Sequence, residues 1–425
     1  MKIYENKEDL LKRLDERSNV DNSEVLAIVK NIIKDIKEKG DDALISYTNK
    51  FDSPLITLDN IKVSEKEIED GYNAISDELR ETFKIAKERI YNFHMHQKEE
   101  TWTYEKNGEI LGQKVTPLEN VGVYVPGGKA AYPSTVFMDV VPAQVAGVKN
   151  IIMTTPCNKE GKVSDVVLAA AYILGIKDIF KCGGTQAIAA MALGTKTIKK
   201  VDKIVGPGNI FVALAKKELF GKVSIDSVAG PSEILVIADE NANPKFVAAD
   251  LLSQAEHDEI ASSILLTNSK VLAENVQEQI KTFTEQLDRK EIINKSLDNY
   301  GGIIITDTID TAIDISNEIA PEHLELAVKD PFNYVDKIKN AGAMFLGNYS
   351  AESLGDYMAG PNHVLPTIHT AKFFSPLSVY DFIKRTSIIY FDKDAFNKIG
   401  KNVATFAHSE GLTAHALAAE VRMDS

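Results

Sequence analysis

Hydrophobic positions along the chain follow helical spacing up to about residue 100 and form short β-rich runs after it. Residues 24–33 place apolar side chains at helical spacing after Ser23. Ser64-Glu65-Lys66-Glu67 has the form of a capping box, which predicts the start of a long amphipathic helix. We therefore expect the first quarter of the chain to be mainly helical.

From about residue 119, β-rich runs alternate with helical segments. The predicted strands cover residues 120–125, 150–154, 178–182, 202–205, 233–237, 262–267, 302–306 and 342–346. Because strands separated by helices pair in parallel, this alternation predicts two parallel sheets covered by helices. The tail is predicted to contain strand at 379–385 and 387–391 and a helix at 411–421.

The order of these elements predicts an α/β fold with two Rossmann-like, incompletely doubly wound domains, a helical N-terminal arm and a small C-terminal tail domain. The predicted divisions are an arm at 1–20, a discontinuous first domain at 21–125 with 232–377, a second domain at 126–231, and a tail domain at 378–425. Glycine and proline near 124–128 and 229–232 mark the hinges. The tail has only about 50 residues, too few for a core of its own, so we expect it to pack on another surface such as a second subunit.

Composition narrows the class of protein. The 425 residues include 48 Lys and Arg against 62 Asp and Glu, a net charge of −14, which argues against nucleic acid or an anionic membrane as partner. The longest apolar run, 166–176, is far shorter than the ~20 residues of a membrane helix, and the N-terminus lacks a signal-peptide core. Cys157 and Cys182 are better interpreted as buried small side chains than as thiol nucleophiles. These features predict a soluble cytoplasmic protein.

Gln254 and His257 lie at the end of a run in which the apolar spacing of Phe246, Ala249, Leu251 and Leu252 predicts a helix packed on one side. Residues three apart share a helix face, so both side chains can point at one object. A side-chain carbonyl oxygen beside an imidazole nitrogen makes half of a plausible zinc site. Taken alone, such a pair is more often simply a polar helix edge.

Three glycine-bearing turns follow predicted strands, at 126–128, 183–186 and 206–209, although none has the G-x-G-x-x-G form. Glycine lets backbone N–H groups approach phosphate, and the carboxyl ends of parallel strands commonly bind ligands. Each turn alone is typical of ordinary turn chemistry. Three such turns in one domain, two of which end in a polar amide side chain (Gln186 and Asn209), favour a nucleotide site.

Glu322 and His323 are the strongest acid/base candidates. Pro321 biases Ala320 towards an extended backbone and predicts that a helix ends there, which leaves Glu322 and His323 in a turn. A carboxylate beside an imidazole suits proton transfer near neutral pH. A histidine satisfied at a helix end is the alternative interpretation.

Two further stretches carry polar pairs. The glycine-rich stretch 355–363 is predicted to be a loop that carries Asp356 and His363, of which Asp356 is a suitable zinc ligand. On one unbroken helix Glu410 and His415 would lie about 140° apart and face different targets. If Gly411 instead precedes the helix, Glu410 lies in a loop and His415 lies in the first turn of the helix.

Together these stretches resemble the histidinol dehydrogenase family, NAD-dependent zinc enzymes that catalyse the last step of histidine biosynthesis. The resemblance extends over nearly the whole chain from about Ser23. It rests on the ordered stretches 121–128, 183–187, 205–209, 229–233, 253–257, 320–325, 355–365 and 410–415. Each stretch is modest alone, whereas the ordered set is highly specific.

The resemblance implies a homodimer with shared active sites, one Zn²⁺ per subunit and an NAD site in the second domain. The implied zinc ligands are Gln254, His257, Asp356 and, from the partner subunit, His415. The implied NAD contacts are Tyr124, Gln186 and Asn209. The implied contacts to L-histidinol are Ser232, His323, His363 and Glu410, beside the zinc ligands, and the implied acid/base residues are Glu322 and His323.

The implied reaction oxidises L-histidinol to L-histidine through L-histidinaldehyde, with two NAD⁺ used in succession. His323 would accept the alcohol proton as the first hydride leaves, and Glu322 would activate the water that attacks the aldehyde. Zinc would orient the substrate imidazole and amino group more than ionise water. Weak NAD binding would suit a cofactor that exchanges in mid-reaction.

Two other classes of function remain open on the sequence. A zinc hydrolase could use Glu322 or Glu410 to drive a metal-bound water, with the glycine turns purely structural. A zinc-bearing binding protein without enzymatic activity could use the same scaffold. A requirement for NAD separates the dehydrogenase from the hydrolase, and activity retained in Glu322→Gln would favour the binding protein.

Overall fold

A computed structural model describes residues 1–18, 22–127, 131–228 and 230–423, so Gly128 of the first glycine turn and Ala229 of the predicted hinge lie outside the described residues. The helices are α1 Lys7–Ser18, α2 Ser23–Lys39, α3 Asp41–Phe51, α4 Glu65–Ala74, α5 Asp77–Met95, α6 Pro133–Ala146, α7 Asp165–Leu174, α8 Gly184–Leu193, α9 Ile210–Leu219, α10 Pro244–Ala255, α11 Lys270–Thr284, α12 Lys290–Tyr300, α13 Ile309–Ile319, α14 Glu352–Tyr357, α15 Lys393–Ser409 and α16 Thr413–Met423. The strands are β1 Lys2–Tyr4, β2 Trp102–Lys106, β3 Glu109–Pro117, β4 Asn120–Tyr124, β5 Asn150–Thr155, β6 Asp178–Lys181, β7 Lys203–Val205, β8 Ser224–Ile225, β9 Glu233–Ala238, β10 Ser262–Thr267, β11 Gly301–Ile305, β12 His323–Ala327, β13 Ala343–Leu346 and β14 Ile383–Phe391. Across the four described ranges, no helix is long and apolar enough to cross a membrane.

The first parallel sheet has five strands in the order β6-β5-β4-β7-β8. Its strands alternate with α6–α9 along the chain, as the hydrophobic pattern predicted. Tyr124 pairs with Thr154 and Val123 with Val205, so β4, β5 and β7 end at one edge. Thr155 of β5 pairs with Lys181 of β6, so the described residues of the three glycine-bearing turns lie at the carboxyl edge of this sheet.

The second parallel sheet has six strands in the order β1-β11-β10-β9-β12-β13. The predicted strands at 262–267 and 233–237 match β10 and β9 closely, whereas the edge strand β1 was not predicted because three residues carry no periodic pattern. His323 at the start of β12 pairs with Ile234 near the start of β9. These two strands therefore begin side by side at the amino edge.

The connection between the sheets joins opposite edges. β8 ends at Ile225 and β9 begins at Glu233, so only residues 226–232 lead from the carboxyl edge of one sheet to the amino edge of the other. Gly230, within this connection, donates its N–H to Thr367 Oγ1 at 2.7 Å. A short connection of this kind holds the two edges near one another.

The N-terminal third is grouped differently from the predicted domain division. Ile32, Leu44 and Phe83 of the N-terminal helices share one hydrophobic core with Val123 of β4. Segment 21–125 was assigned to the first domain, yet its helices bury their apolar faces on the five-stranded sheet, whose central strand is β4. Residues 1–18 instead belong to the six-stranded sheet, through β1 and the buried side chains of α1.

The tail forms an antiparallel extension. β14 pairs with β3, and β3 with β2, in a three-stranded sheet that the sequence pattern did not predict. The predicted strand at 379–385 is wrong in its first half, because Val379–Phe382 is a 3-10 helix stabilised by the Ser378/Asp381 capping box. α15 was also missed, and it packs on α16 through Ala404, Ala407, Ala416 and Ala419. Phe406, Leu417 and Val421 on these helices, and Leu412 between them, are exposed.

Candidate active site

Glu322 and His323 lie at the amino edge of the six-stranded sheet, between α13 and β12. Ala320 caps α13 in the left-handed conformation, with φ 52° and ψ 63°, rather than extended as Pro321 predicted. Its N–H bonds to the carbonyl of Ser316 at 2.8 Å, so the hydrogen bond that closes the helix outweighs the preference imposed by proline. Glu322 then lies in a bend, and His323 is the first residue of the strand rather than part of the turn.

Glu233, the first residue of β9, contacts both side chains. Its N–H donates to Glu322 Oε2 at 2.9 Å, and Glu322 N–H donates to Glu233 Oε2 at 3.3 Å. Its carbonyl oxygen lies 3.0 Å from His323 Nδ1 and accepts a hydrogen bond from Gln254 Nε2 at 3.0 Å. Gln254 Nε2 also lies 3.1 Å from His323 Nδ1. With the Gln254 amide donating to the Glu233 carbonyl, a proton on Nδ1 satisfies the contact of His323 with that carbonyl, and in this tautomer the lone pair of His323 lies on Nε2.

The free nitrogen of His323 is buried. His323 is 4% exposed, and its Nε2 has no hydrogen-bond partner among the residues that the structure describes. Buried polar atoms in folded proteins are almost always hydrogen-bonded. This Nε2, which has no partner within the described ranges and lies 4.0 Å from Glu352 Oε1, therefore marks a position at which a ligand proton can be accepted.

Arg17 of α1 compensates the charge of Glu233. Arg17 Nη2 and Glu233 Oε1 form an ion pair in which both side chains are almost completely buried. Removing one partner from such a pair leaves an uncompensated buried charge. Sequence reasoning missed both residues. The only signal for Glu233 is a carboxylate at the start of an otherwise apolar strand, and Arg17 had none.

Burial sets the protonation of the carboxyl groups. Burial raises the pKa of Glu322 to about 8, against the lowering effect of His323. Burial also raises the pKa of Glu352 to about 8, with Asp356 adding to the rise. Acids that titrate this close to neutral pH are suited to proton transfer. Burial lowers the pKa of His363, which favours the neutral imidazole.

Glu352 joins His257 and Asp356 in a group that fits a metal ion. One ligand atom from each of the three lies within 4.8 Å of the others. His363 Nδ1 is 3.8 Å from Asp356 Oδ1, and His323 Nε2 is 4.0 Å from Glu352 Oε1. Nitrogen and carboxylate oxygen donors are the set that zinc binds. Glu352 was not predicted, although its spacing of four from Asp356 on α14 was a helical signal.

α10 brings Gln254 to the same edge. The side chain of Gln254 is 1% exposed and points at the Glu233 carbonyl. α10 ends before His257, whose N–H still bonds to the Gln254 carbonyl at 3.2 Å, and His257 is exposed. The predicted packed face was partly wrong, because Phe246 and Ala249 are exposed. Contacts with β9 and α11 bury instead the face that carries Val247, Ala248, Leu251 and Leu252.

The stretch 355–363 connects the metal-fitting group to the five-stranded sheet. Asp356 lies in α14 rather than in a loop as predicted, and His363 lies beyond it. Asn362 Nδ2 donates to the carbonyl oxygen of Met138 in α6 at 2.6 Å. The stretch therefore links the two halves of the molecule at the site.

The remaining substrate and metal candidates lie on other segments. Ser232 directly precedes β9 and is partly buried, with its carbonyl oxygen accepting from Ser262 N–H at 3.0 Å. Glu410 caps α15 and His415 lies in the first turn of α16, as predicted if Gly411 precedes the helix. Both side chains are exposed. The group formed by His257, Glu352 and Asp356 does not include His415.

Tyr124, Gln186 and Asn209 lie at the carboxyl edge of the five-stranded sheet. The hydroxyl of buried Tyr124, the last residue of β4, accepts from Gly184 N–H at 3.1 Å, and burial raises its pKa to about 12. Asn209 caps α9 by accepting from Phe211 N–H at 3.1 Å. Gln186 and Asn209 thus lie at helix N-termini, where backbone N–H groups face outwards, and Tyr124 contacts the first turn of α8 from the end of β4.

Asp52, after α3, is a further residue at this edge that sequence reasoning missed. Its Oδ2 accepts from Gly183 N–H at 3.0 Å and lies 3.5 Å from Gln186 Nε2. A carboxylate at a helix N-terminus is favoured by the helix dipole. Asp52 therefore orients Gln186 and takes one of the N–H groups at the start of α8. Cys157 and Cys182 are buried and unpaired, and burial raises the pKa of both thiols.

Comparisons with known proteins agree with this geometry. A family model described as histidinol dehydrogenase matches residues 15–423. A histidinol dehydrogenase of Clostridium acetobutylicum is 54% identical over 416 residues, 98% of this chain and 96% of the relative. One of Aquifex aeolicus is 54% identical over 412 residues, covering 97% of this chain and 96% of the relative. The crystal structure of histidinol dehydrogenase from Elizabethkingia anophelis matches with a TM-score of 0.94 and 42% identity, covering 100% of this chain and 97% of that chain. The family resemblance of the sequence is therefore confirmed, and the chain belongs to the histidinol dehydrogenases, oxidoreductases of histidine biosynthesis.

Proposed function

We propose that this protein oxidises L-histidinol to L-histidine through L-histidinaldehyde, with two NAD⁺ used in succession. The observation that carries the proposal is the buried pair Glu322 and His323. Among the described residues, His323 Nε2 has no hydrogen-bond partner, and it lies beside a group of metal-binding side chains. The family supplies the substrate, and the site supplies a base and a carboxyl group where the chemistry needs them.

His323 is the base of the first oxidation. Its Nδ1 faces the Glu233 carbonyl at 3.0 Å, so Nε2 accepts the proton of the substrate hydroxyl as hydride leaves the neighbouring carbon. The resulting imidazolium is stabilised by Glu322 Oε2, which lies 3.6 Å from Nδ1. The proton has left the oxygen and the hydride has left the carbon, so the product of this step is the aldehyde.

Glu322 is the base for the second half of the reaction. Its Oε2 is held by Glu233 N–H, and in its ionised form the carboxylate takes a proton from the water that attacks the aldehyde. Protonated His323 returns its proton to the aldehyde oxygen in the same step, which gives the neutral hydrate and restores the lone pair on Nε2. The hydrate has a hydroxyl on the same carbon, and His323 accepts its proton as the second hydride leaves. A carboxyl group with a pKa of about 8 is suited to this exchange near neutral pH.

The donor set supports a zinc ion, one per subunit. Gln254, His257 and Asp356 are the proposed ligands from this chain, with His415 of the partner subunit. His257 and Asp356 lie in the metal-fitting group, and the Nε2 atom of Gln254 is held by Glu233, which leaves its carbonyl oxygen as a donor. When bound, zinc would orient the imidazole and amino group of the substrate.

The proposed homodimer shares its active sites through the tail. Glu410 and His415 are exposed on the α15–α16 hairpin, next to the exposed apolar side chains of Phe406, Leu412 and Leu417. An apolar surface of this kind is typical of an interface. Ser232, His363 and Glu410 are the further proposed contacts to L-histidinol.

The NAD site is proposed at the carboxyl edge of the five-stranded sheet, with Tyr124, Gln186 and Asn209 as contacts. Asp52 places a carboxylate on Gly183 N–H at the start of α8, which supports a weak site because it competes with an anionic ligand there. Tight binding of NAD to the free enzyme would contradict this. A cytoplasmic location remains a prediction.

The deciding experiment follows NADH formation from L-histidinol by the purified protein, with and without a metal chelator. We expect two NADH for each L-histidine formed, and loss of the reaction on chelation that added zinc reverses. No reduction of NAD⁺ would overturn the proposal. Zinc-dependent turnover without NAD would support the hydrolase instead.

A further inference from the structure

A second buried ionic group lies beneath the Gly206–Asn209 turn, and none of the proposed chemical steps uses it. Lys216 of α9 and Asp226 after β8 form an ion pair in which both side chains are almost completely buried. Lys216 Nζ also donates to the carbonyl oxygen of Gly206 at 3.0 Å, and Asp226 Oδ2 accepts from Gly206 N–H at 2.9 Å. Both hydrogen-bonding groups of the Gly206 backbone are thus held by this one pair.

Asp139 of α6 completes the group. It is fully buried, and neither of its carboxylate oxygens has a hydrogen-bond partner in the described part of the chain. The charges of Lys216 and Asp226 act on it, and burial raises its pKa well above its usual range. A Cβ placed on Gly206 would lie 3.1 Å from Asp139 Oδ2, so the carboxyl group packs directly against the turn.

Gly206 has a backbone conformation that needs such support. Its φ of +115° lies in the region that L side chains rarely adopt, and a Cβ there would collide with the carbonyl oxygen of Tyr124. The turn therefore packs against the end of β4 while it leads into Asn209, the N-cap of α9. The position of Gly206 therefore affects both Tyr124 and Asn209, which are two of the three proposed NAD contacts.

Stability alone does not account for this arrangement. A buried ion pair is often no more stabilising than apolar side chains of the same volume, because both ions lose their hydration. Its directional hydrogen bonds do, however, fix the atoms to which they are made. Here those atoms are the N–H and carbonyl of the residue at the start of the turn.

We propose that Lys216, Asp226 and Asp139 are positioning residues that hold the Gly206–Asn209 turn in the conformation that binds NAD. The inference rests on the proposed function, which places NAD at this edge of the sheet. The three residues act through Gly206 and do not touch the substrate.

The test compares Lys216→Met with the wild type in the full-length, zinc-loaded enzyme. We expect the KM for NAD to rise about tenfold while the KM for L-histidinol stays within about twofold, because only the NAD-binding turn is released. Lys216→Arg, which keeps the charge and the donors, should recover most of the NAD affinity. An unchanged KM for NAD, or equal rises in both KM values, would overturn the inference.

Lys203→Met is the matched control. Lys203 is also a buried lysine, paired with Asp381 at 2.8 Å, and it lies at the opposite end of β7 from the turn. This variant should lose stability and keep the KM for NAD. An equal loss of NAD affinity in this control would show a general effect of buried-charge removal and would count against the proposal.

Two additions keep the result interpretable. If Lys216→Met does not fold, Asp226→Asn is tested in its place. This substitution keeps the size of the side chain and an acceptor for Gly206 N–H, and it removes the charge. Binding of NADH, followed by its fluorescence, needs no turnover. Weakened NADH binding in the variant supports the inference even if the wild type does not oxidise L-histidinol, and unchanged binding contradicts it.

Discussion

The backbone N–H of Glu233 donates a hydrogen bond to the carboxylate of Glu322 at 2.9 Å. The two residues stand at the amino ends of neighbouring strands, β9 and β12, and Glu322 N–H donates in return to the Glu233 side chain. The carboxyl group proposed as the base of the second half-reaction is therefore held by the backbone of the adjacent strand. A change in either partner should alter its position or protonation.

Glu322→Gln should separate the two oxidations. The amide keeps an acceptor for Glu233 N–H but cannot take a proton, so we expect His323 to support the first oxidation while hydration of the aldehyde fails. Steady-state NADH formation should fall by about 10²–10⁴-fold, with about one NADH per site in the first turnover. Rapid-mixing absorbance measures both. Glu318→Gln, at an exposed position, is the control, and two NADH per histidine at the full rate would contradict the assignment.

Arg17→Met should affect both stability and turnover. Loss of Arg17 leaves Glu233 charged and buried beside Glu322, and breaking a buried pair typically costs about 3–5 kcal/mol. We expect a loss of that order in urea denaturation and a lower kcat with an unchanged KM for NAD. Lys7→Met, which breaks an exposed ion pair of the same helix with Glu318, should change neither. An Arg17 variant as stable as the wild type would contradict the role given to this pair.

Stability should decrease with pH through the titration of Glu322. Its folded pKa of about 8 lies above its ordinary value, so the folded protein retains a proton that the unfolded chain has lost. The contribution of Glu322 to the free energy of unfolding is therefore fully present at pH values below the ordinary pKa of a glutamate. It is lost as pH rises from there towards about 8, at up to about 1.4 kcal/mol per pH unit. Glu322→Gln should show a shallower decrease in denaturation from about pH 5 to about pH 8. Parallel profiles would refute the raised pKa.

Mixing two inactive variants should test the shared active site. In a dimer of His323→Ala with His415→Ala, one site carries both changes and the other carries neither, if His415 serves the partner subunit. Random re-association in equal amounts should then restore about a quarter of the wild-type activity. Mixing His323→Ala with Glu322→Gln is the control, because both residues belong to one subunit's site and no activity should return. No recovery in the first mixture would place His415 in its own subunit or outside the site.

Much of the fold was predictable because it depends on local patterns. The capping box at Ser64 forms as its sequence indicates, and the run 262–267 is a strand with the predicted bounds. Helix α16 begins at Thr413, after a turn that contains Gly411, whose φ of +72° suits a residue without a side chain. These features depend on residues that are neighbours in the chain.

Other features were decided by long-range packing. Phe246 had the spacing of a packed residue, yet α10 buries a different face because β9 and α11 lie on that side. Helices α2–α5 were placed with the wrong sheet, since an amphipathic pattern shows that a face is buried and not what covers it. Glu352 lies in the metal-fitting group only because the tertiary structure places α14 beside His257, which follows α10.

The sequence by itself determined the alternation of strands and helices, the parallel sheets and, through its ordered motifs, the histidinol dehydrogenase family. Only the tertiary structure decided that Arg17 and Glu233 hold Glu322, and that Lys216 and Asp226 hold Gly206. The physical reason is the range of the interactions. Helix and strand periodicity depends on residues that are close together in the chain. A buried charge pairs with a residue that is distant in the chain, and no local pattern identifies that residue.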